Sequence, residues 1–155
     1  MDKWRKVWRL SWSERRLLVG AAFLLPIVAA LIRLRGLRGC QSILARLAPV
    51  RNNPNLIAHS SGESLARTVA RIVRAAAVHG PYKANCLQQS VTLWWLLRRK
   101  GLESDLRIGA RTGPSGFEAH AWVEFGGLSL NESRDVHSRY TAFDGSINPS
   151  EARPS

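Results

Sequence analysis

One cysteine opens a strongly helical stretch of this 155-residue chain. Cys86 follows Asn85, a typical helix N-cap, in the segment 82–101, YKANCLQQSVTLWWLLRRKG. The first turn of a helix presents unpaired N–H groups and the positive end of the helix dipole, and both stabilise a thiolate. Such a thiolate is a nucleophile, and the Cys86 N–H could also hold the oxyanion that forms when sulfur attacks a carbonyl. A buried structural thiol is the alternative, since free cysteines are often simply buried.

One histidine lies in an apolar stretch. His120 stands in AHAW, in the middle of a predicted strand, where its ring needs polar partners. A cysteine at a helix start and a base on a neighbouring strand are the arrangement that cysteine acyl-transfer enzymes need. We therefore predict Cys86 as nucleophile and His120 as general base. His59 and His79 are weaker candidates, because they fall in a linker and at a helix end.

A base of this kind usually needs a third group that fixes its tautomer. The sequence offers Asn131, Glu132 and Asp135. If the glycine pair 126–127 forms a two-residue hairpin, the pleat places Asn131 on the face of His120. A three-residue loop or a bulge brings Glu132 to that face instead. The residues alone favour Asn131 and leave Glu132 and Asp135 as alternatives.

The elements that must position these residues follow from hydrophobic periodicity. Apolar residues from 65 to 76 have helical spacing, with a capping-box pattern of Ser60 and Glu63 before them and Gly80-Pro81 after them. A second helix runs from Asn85 through Leu97. Segments 105–111, 117–125 and 128–132 then alternate as strands do. Helices followed by an antiparallel meander predict an α+β fold, with the helices covering one face of the sheet.

The N-terminal third is basic and helical. Residues 1–62 hold eleven basic and two acidic residues, and so carry +9 of the formal +12. Trp4, Trp8 and Trp12 recur every four residues, and residues 17–32 form an apolar run shorter than a bilayer span. We expect a helix packed on the domain or on a partner, with contact to a membrane surface as the alternative. No small-residue cleavage site follows the run, so we expect no signal peptide.

Composition excludes several classes of protein. The two cysteines, Cys40 and Cys86, form no C-x-x-C pair, which argues against a disulfide scaffold or a cysteine-based zinc site and favours the cytoplasm. We predict no cofactor and no metal. The basic charge comes without a nucleic-acid recognition motif, so we expect no specific nucleic-acid partner.

The predicted organisation has four parts. Residues 1–47 form a basic helical region, and residues 48–62, rich in Pro, Asn, Ser and Gly, form a linker. Residues 63–147 form the domain that carries the candidate catalytic residues. Residues 148–155 are expected to be a disordered tail.

The segment 86–133, CLQQSVTLWWLLRRKGLESDLRIGARTGPSGFEAHAWVEFGGLSLNES, resembles a known family. It is similar to the transglutaminase-like cysteine protease domain of lasso-peptide leader peptidases, in the form that stands alone. The shared pattern is a C-L pair, a Leu/Trp-rich helix with a basic end, an L-R-I-G strand, E-A-H-A-W-V-E, and an L-N-acidic step. The resemblance covers roughly residues 63–144 and implies a transglutaminase-like, papain-like core of helices on an antiparallel sheet.

The resemblance implies a function as well as a fold. It implies Cys86 as nucleophile, His120 as general base and Glu132 as orienter, where the family has an aspartate twelve positions beyond the histidine. The implied activity is removal of the leader from a lasso-peptide precursor through a thioester. The implied partners are that precursor, a leader-recognition protein that delivers it, and an ATP-dependent lasso cyclase.

Two other functions fit the same residues. A transglutaminase or amidase would use the same thioester with a different acceptor, and the catalytic residues do not distinguish acceptors. A non-catalytic module of the same fold would bind anionic partners through its basic N-terminal region, and its Cys86 would be unreactive.

Overall fold

A computed structural model of the protein describes residues 11–48, 59–113, 116–132 and 140–142. The described elements are helices followed by an antiparallel sheet, so the α+β prediction is confirmed. The predicted tail at 148–155 and the residues Trp4 and Trp8 lie outside the described ranges. The elements are α1 (Trp12–Leu47), α2 (His59–His79), α3 (Cys86–Arg99), β1 (Asp105–Gly113), β2 (Gly116–Phe125), β3 (Leu128–Ser129) and β4 (Thr141–Ala142).

Helix α1 starts with a capping box and bends about two thirds of the way along its length. The Ser11 hydroxyl accepts from the Glu14 N–H at 3.3 Å, and the Glu14 carboxylate accepts from the Ser11 N–H at 2.9 Å. The helix continues through Pro26 and bends at Gly36, whose φ of 68° lies in the left-handed region. The apolar run predicted from sequence is therefore one long helix with a kink after it.

One side of α1 packs against α2 and α3. Leu25 and Leu44 are buried in the core, and each such burial stabilises the fold by about 1.5–3 kcal/mol. The Leu44 carbonyl accepts from the Ala48 N–H at 3.1 Å and also from the Trp95 indole N–H at 2.8 Å, which ties the end of α1 to α3. Glu14 also pairs with Arg71 of α2 at 2.8 Å. The prediction of a helix packed on the domain is confirmed for α1.

Helix α2 begins earlier than the sequence predicts. It begins at His59, so the last four residues of the predicted linker at 48–62 belong to its first turn. Of the remaining linker residues, the structure describes only Ala48. Ser60 lies within the helix and not at its N-cap, so the predicted capping box is wrong. The Glu63 carboxylate instead forms an ion pair with Arg67 at 2.8 Å. The two residues are four apart, which brings their side chains together on the helix surface.

The four strands form one antiparallel sheet in the order β3-β2-β1-β4. Gly126 and Gly127 join β2 to β3 with φ values of 56° and 79°, which is the turn that matches the twist of paired strands. Phe125 pairs with Leu128, so the predicted two-residue hairpin is confirmed.

The core lies between the three helices and one face of the sheet. Helix α3 is its central element, because it contacts both other helices and both long strands. Large buried members of this core are Leu25, Leu44, Val69, Val73, Leu93, Trp94, Leu97, Leu106 and Val123.

Candidate active site

Cys86 is the first residue of α3. Asn85 is the N-cap: its side chain accepts from the Gln88 N–H at 2.9 Å, while the Gln88 side chain accepts from the Asn85 N–H at 3.1 Å. The predicted N-cap is therefore confirmed, and Gln88 completes a capping box that the sequence analysis did not identify. The N–H of Cys86 belongs to the first turn and has no acceptor within the helix, so it can donate to a developing negative charge.

His120 lies on β2 and binds a carboxylate. Its Nε2 is 2.6 Å from Oε2 of Glu132, and both side chains are mostly buried, at 20% and 25% exposure. The His120 ring also stacks on Tyr140, with centroids 5.1 Å apart. A carboxylate acceptor at Nε2 favours the tautomer with its proton there, and in that tautomer Nδ1 is the nitrogen that can exchange a proton with a nucleophile.

Asn131 does not take the position that the pleat argument gives it. Its side-chain oxygen accepts from the Val123 N–H at 2.8 Å. In a continuing hairpin that N–H would donate to the Leu130 carbonyl. The Leu130 N–H still donates to the Val123 carbonyl at 2.9 Å, so this pair is half formed and the regular ladder ends here. Asn131 thus binds Val123 and Ser90 while Glu132 binds His120, so the preference for Asn131 as orienter does not match these contacts, although its premise, the two-residue hairpin, is right. Glu132 reaches His120 from beyond the strand end.

A hydrogen-bond chain joins the three segments that carry the candidate residues. The Asn131 amide donates to the Ser90 hydroxyl at 2.8 Å, and Ser90 donates to the Ala121 carbonyl at 2.9 Å. Ser90 is fully buried and lies one turn after Cys86, while Ala121 follows His120. We call Ser90 and Asn131 the clamp. It fixes the start of α3 relative to the histidine strand and to the segment that bears Glu132, and the sequence offers no pattern that identifies Ser90.

The three predicted catalytic residues line one cleft of about 590 Å³. Its apolar wall comes from α2, through Ala70, Val73 and Val78, and from Leu130 of the hairpin. Arg74 adds a positive charge, and Gln89 and Asn131 add polar groups. Asp135, the third alternative for the orienter, lies outside the described residues. The described part of the chain shows no group of three or more His, Cys, Asp or Glu side chains placed to hold a metal ion.

The two cysteines differ in environment. Cys40 is fully buried in α1, and burial raises the pKa of its thiol to about 11. Cys86 is partly exposed and lines the cleft. Since the thiolate is the reactive form, Cys40 is expected to be inert at neutral pH.

Alkylation of the folded protein tests this difference. We expect iodoacetamide at neutral pH to label Cys86 faster than a free model thiol and to leave Cys40 unlabelled, as followed by peptide mass spectrometry. The guanidinium-unfolded chain, in which both thiols are accessible, is the control. Labelling of Cys86 no faster than the model thiol would support a non-catalytic module instead.

Comparison with known proteins places this chain in a family. The sequence profile of the Transglutaminase-like superfamily matches residues 21–143, most of the chain. The chain belongs to this superfamily. The match to the transglutaminase-like profile begins within α1, ahead of the predicted domain start at residue 63. This agrees with the shared core of α1, α2 and α3, while the predicted boundaries remain an interpretation of the sequence.

The transglutaminase-like chain is also similar to a curated protein, the Microcin J25-processing protein McjB of Escherichia coli. The two are 34% identical over 58 residues, which are 37% of this chain and 27% of McjB. The matched region therefore spans about a quarter of that relative's length. No solved structure matches the transglutaminase-like chain significantly.

Proposed function

We propose that the protein is a cysteine endopeptidase that removes the leader from a ribosomally made lasso-peptide precursor. The observation that carries the proposal is the cleft that contains Cys86 at a helix start and the His120–Glu132 pair. The substrate class rests on the resemblance of residues 86–133 to lasso-peptide leader peptidases and on the similarity to McjB, a processing protein by name.

In the first half of the proposed reaction, the Cys86 sulfur attacks the carbonyl carbon at the end of the leader. The thiol proton passes to Nδ1 of His120, and Glu132 stabilises the imidazolium that results. The Cys86 N–H donates to the oxyanion of the tetrahedral intermediate. His120 then protonates the departing amine of the core peptide, the C–N bond breaks, and the leader remains on Cys86 as a thioester.

In the second half, water replaces the sulfur. His120 removes a proton from a water molecule, which attacks the thioester carbon, and the second tetrahedral intermediate collapses with release of the leader carboxylate. Sulfur regains its proton from His120. The core peptide is left with a free α-amine, which the ATP-dependent cyclase would join to an acidic side chain of the core.

The proposal assigns delivery of the substrate to a separate leader-recognition protein. The family resemblance implies this division of labour, in which the cleft needs to hold only the residues beside the scissile bond. The apolar wall of Ala70, Val73 and Leu130 supports binding of an apolar side chain there. We propose that the reaction takes place in the cytoplasm, since an unpaired Cys86 must stay reduced.

Reconstitution of the protein with a precursor and its leader-recognition protein tests the proposal. We expect two products, the intact leader with a free carboxylate and the core peptide with a free amine, identified by mass. A labelled primary amine is included in a parallel reaction. Incorporation of that amine at a glutamine side chain, with loss of ammonia and with the peptide chain left uncut, would identify the protein as a transglutaminase instead.

Replacement of Glu132 is expected to lower kcat, whereas replacement of the neighbouring Asn131 is expected to lower the stability of the fold. Glu132→Gln keeps the size of the side chain but removes the charge that stabilises protonated His120, so we expect kcat to fall by about 100-fold or more with little change in melting temperature. Asn131→Ala leaves the Val123 N–H and the Ser90 hydroxyl short of a partner, so we expect a loss of about 1–3 kcal/mol in the free energy of unfolding.

Initial rates and thermal melts of both variants, measured under identical conditions, separate the two roles. Asp135→Asn serves as the control for the third acidic candidate. A larger loss of kcat in Asn131→Ala than in Glu132→Gln, at equal stability, would transfer the orienting role to Asn131.

A further inference from the structure

The outward side of α1 carries an apolar stripe. Trp12, Val19, Phe23, Ile27 and Leu34 are each between 53% and 79% exposed. Their spacings of seven, four, four and seven residues place them on one side of the helix. We call these five side chains the α1 stripe. Apolar surface of this extent on a folded protein is typical of an interaction site.

The opposite side of α1 is held in the domain core. Leu25 and Val28 are completely buried, and Glu14 pairs with Arg71 of α2 at 2.8 Å. By length and composition α1 could cross a membrane. Crossing would pull Leu25 and Val28 out of the core and expose the apolar side chains that pack with them. The packing therefore favours a helix that lies on a surface over one that spans a bilayer.

The charges beside the stripe are basic. Arg16, Arg33 and Arg35 are exposed, and Glu14 is the single acidic residue of α1. The Glu14 carboxylate is paired with Arg71, which leaves the arginines to set the local potential. Apolar side chains flanked by arginines complement a bilayer interface with anionic headgroups.

The dimensions of the stripe also suit a bilayer surface. From Trp12 to Leu34 it runs for about 33 Å at the rise of an α-helix. It is long and narrow, as is typical of a helix that lies in the plane of a bilayer interface. Residues 1–10, which the structure does not describe, continue the same composition with two further tryptophans, four basic residues and one acidic residue.

We propose that the α1 stripe docks the protein on the surface of an anionic phospholipid bilayer. Phe23 and Ile27 enter the boundary between headgroups and acyl chains, while the arginines remain at the level of the phosphates. The rest of the domain, with the Cys86 cleft, stays in water. This property goes beyond the proposed peptidase function and does not depend on it.

Flotation of the full chain with vesicles tests the docking. One set of vesicles contains phosphatidylglycerol and phosphatidylcholine, and the other contains phosphatidylcholine alone. We expect clear preference for the first set, weakened by added salt because screening reduces the attraction of the arginines. Phe23→Glu and Ile27→Glu are each expected to weaken binding by about tenfold or more.

Phe117→Glu is the matched control, since Phe117 is 72% exposed on β2, away from the stripe. It makes the same replacement and is expected to bind as the wild type does, with all variants checked by circular dichroism and thermal melting. Absence of wild-type binding to the anionic vesicles, or equal binding by the Phe23, Ile27 and Phe117 variants, would overturn the proposal. Retention of the wild type through an alkaline carbonate wash would overturn it in favour of a spanning helix. The stripe would instead belong to a protein interface if the wild type does not bind vesicles and the stripe variants lose binding to the leader-recognition protein.

Discussion

Replacing Cys86 with alanine is expected to lower the rate of leader removal by on the order of 10⁴-fold or more. The sulfur forms the thioester in the proposed reaction, and alanine has no atom that can replace it. The fold is expected to persist, because alanine suits the first turn of a helix and the Asn85 capping box does not involve the Cys86 side chain. The measurement is the rate at which free leader appears from the precursor, in the presence of the leader-recognition protein.

The chain supplies its own control for this variant. Cys40→Ala removes the other sulfur, from a fully buried position in α1 that contributes nothing to the cleft. We expect it to cleave at the wild-type rate and to melt at a lower temperature, because it leaves a small cavity in the core. Cleavage by Cys86→Ala at the wild-type rate would show that Cys86 is not the nucleophile.

Replacing His120 is expected to have the second-largest effect, a loss of about 10³-fold or more in kcat/KM. Without the ring, the proposed reaction lacks the group that accepts the thiol proton, protonates the departing amine and then activates water. His120→Gln keeps a polar side chain next to Glu132 but cannot carry out these transfers. Both His120→Ala and His120→Gln are therefore expected to lose activity, although they differ in how well they replace the contacts with Glu132 and Tyr140.

Two comparisons separate a lost base from a damaged fold. His79→Ala removes an exposed histidine at the end of α2 and is expected to be as active as the wild type. Added imidazole is expected to restore part of the activity of His120→Ala, since that variant leaves space for the missing ring, and none of the activity of Cys86→Ala. Equal losses in His79→Ala and His120→Ala would contradict a specific catalytic role for His120.

Local patterns predicted the two elements that place Cys86 and His120. Asn85 before an apolar-periodic segment fixes the start of α3, because its side chain satisfies an N–H of the first turn. The glycine pair 126–127 fixes the hairpin register, because both residues adopt the left-handed conformation that glycine tolerates best. Both features depend on a few adjacent residues, and so they could be read from the sequence.

The partner of His120 depends on where pairing stops, which local patterns do not show. Asn131 ends the regular ladder because its side chain binds the Val123 N–H. The next residue, Glu132, no longer follows the alternation of a strand, and its side chain binds His120. The family resemblance, and not the periodicity, pointed to Glu132. Ser90 could not have been found either, since its hydrogen bonds join segments 31 and 41 residues away in the chain.

The start of α2 was missed for a related reason. Pro, Asn, Ser and Gly before residue 63 indicated a linker, and Ser60 with Glu63 matched a capping box. Intrinsic preferences of this size are a few tenths of a kcal/mol to about 1 kcal/mol per residue, and packing routinely outweighs them. The helix that contains Ser60 lies against α1 and α3, so tertiary contacts stabilise it beyond what its first turn suggests.

Direct detection of the acyl-enzyme tests the central claim that Cys86 cleaves the leader through a thioester. The wild-type protein, its precursor and the leader-recognition protein would be mixed, quenched in acid within a single turnover, and analysed by intact-mass and peptide mass spectrometry. We predict a leader-sized adduct on Cys86 that hydroxylamine removes, with no adduct on Cys40 and none in Cys86→Ala. Leader release at the wild-type rate without any adduct, and unchanged in Cys86→Ala, would contradict the account.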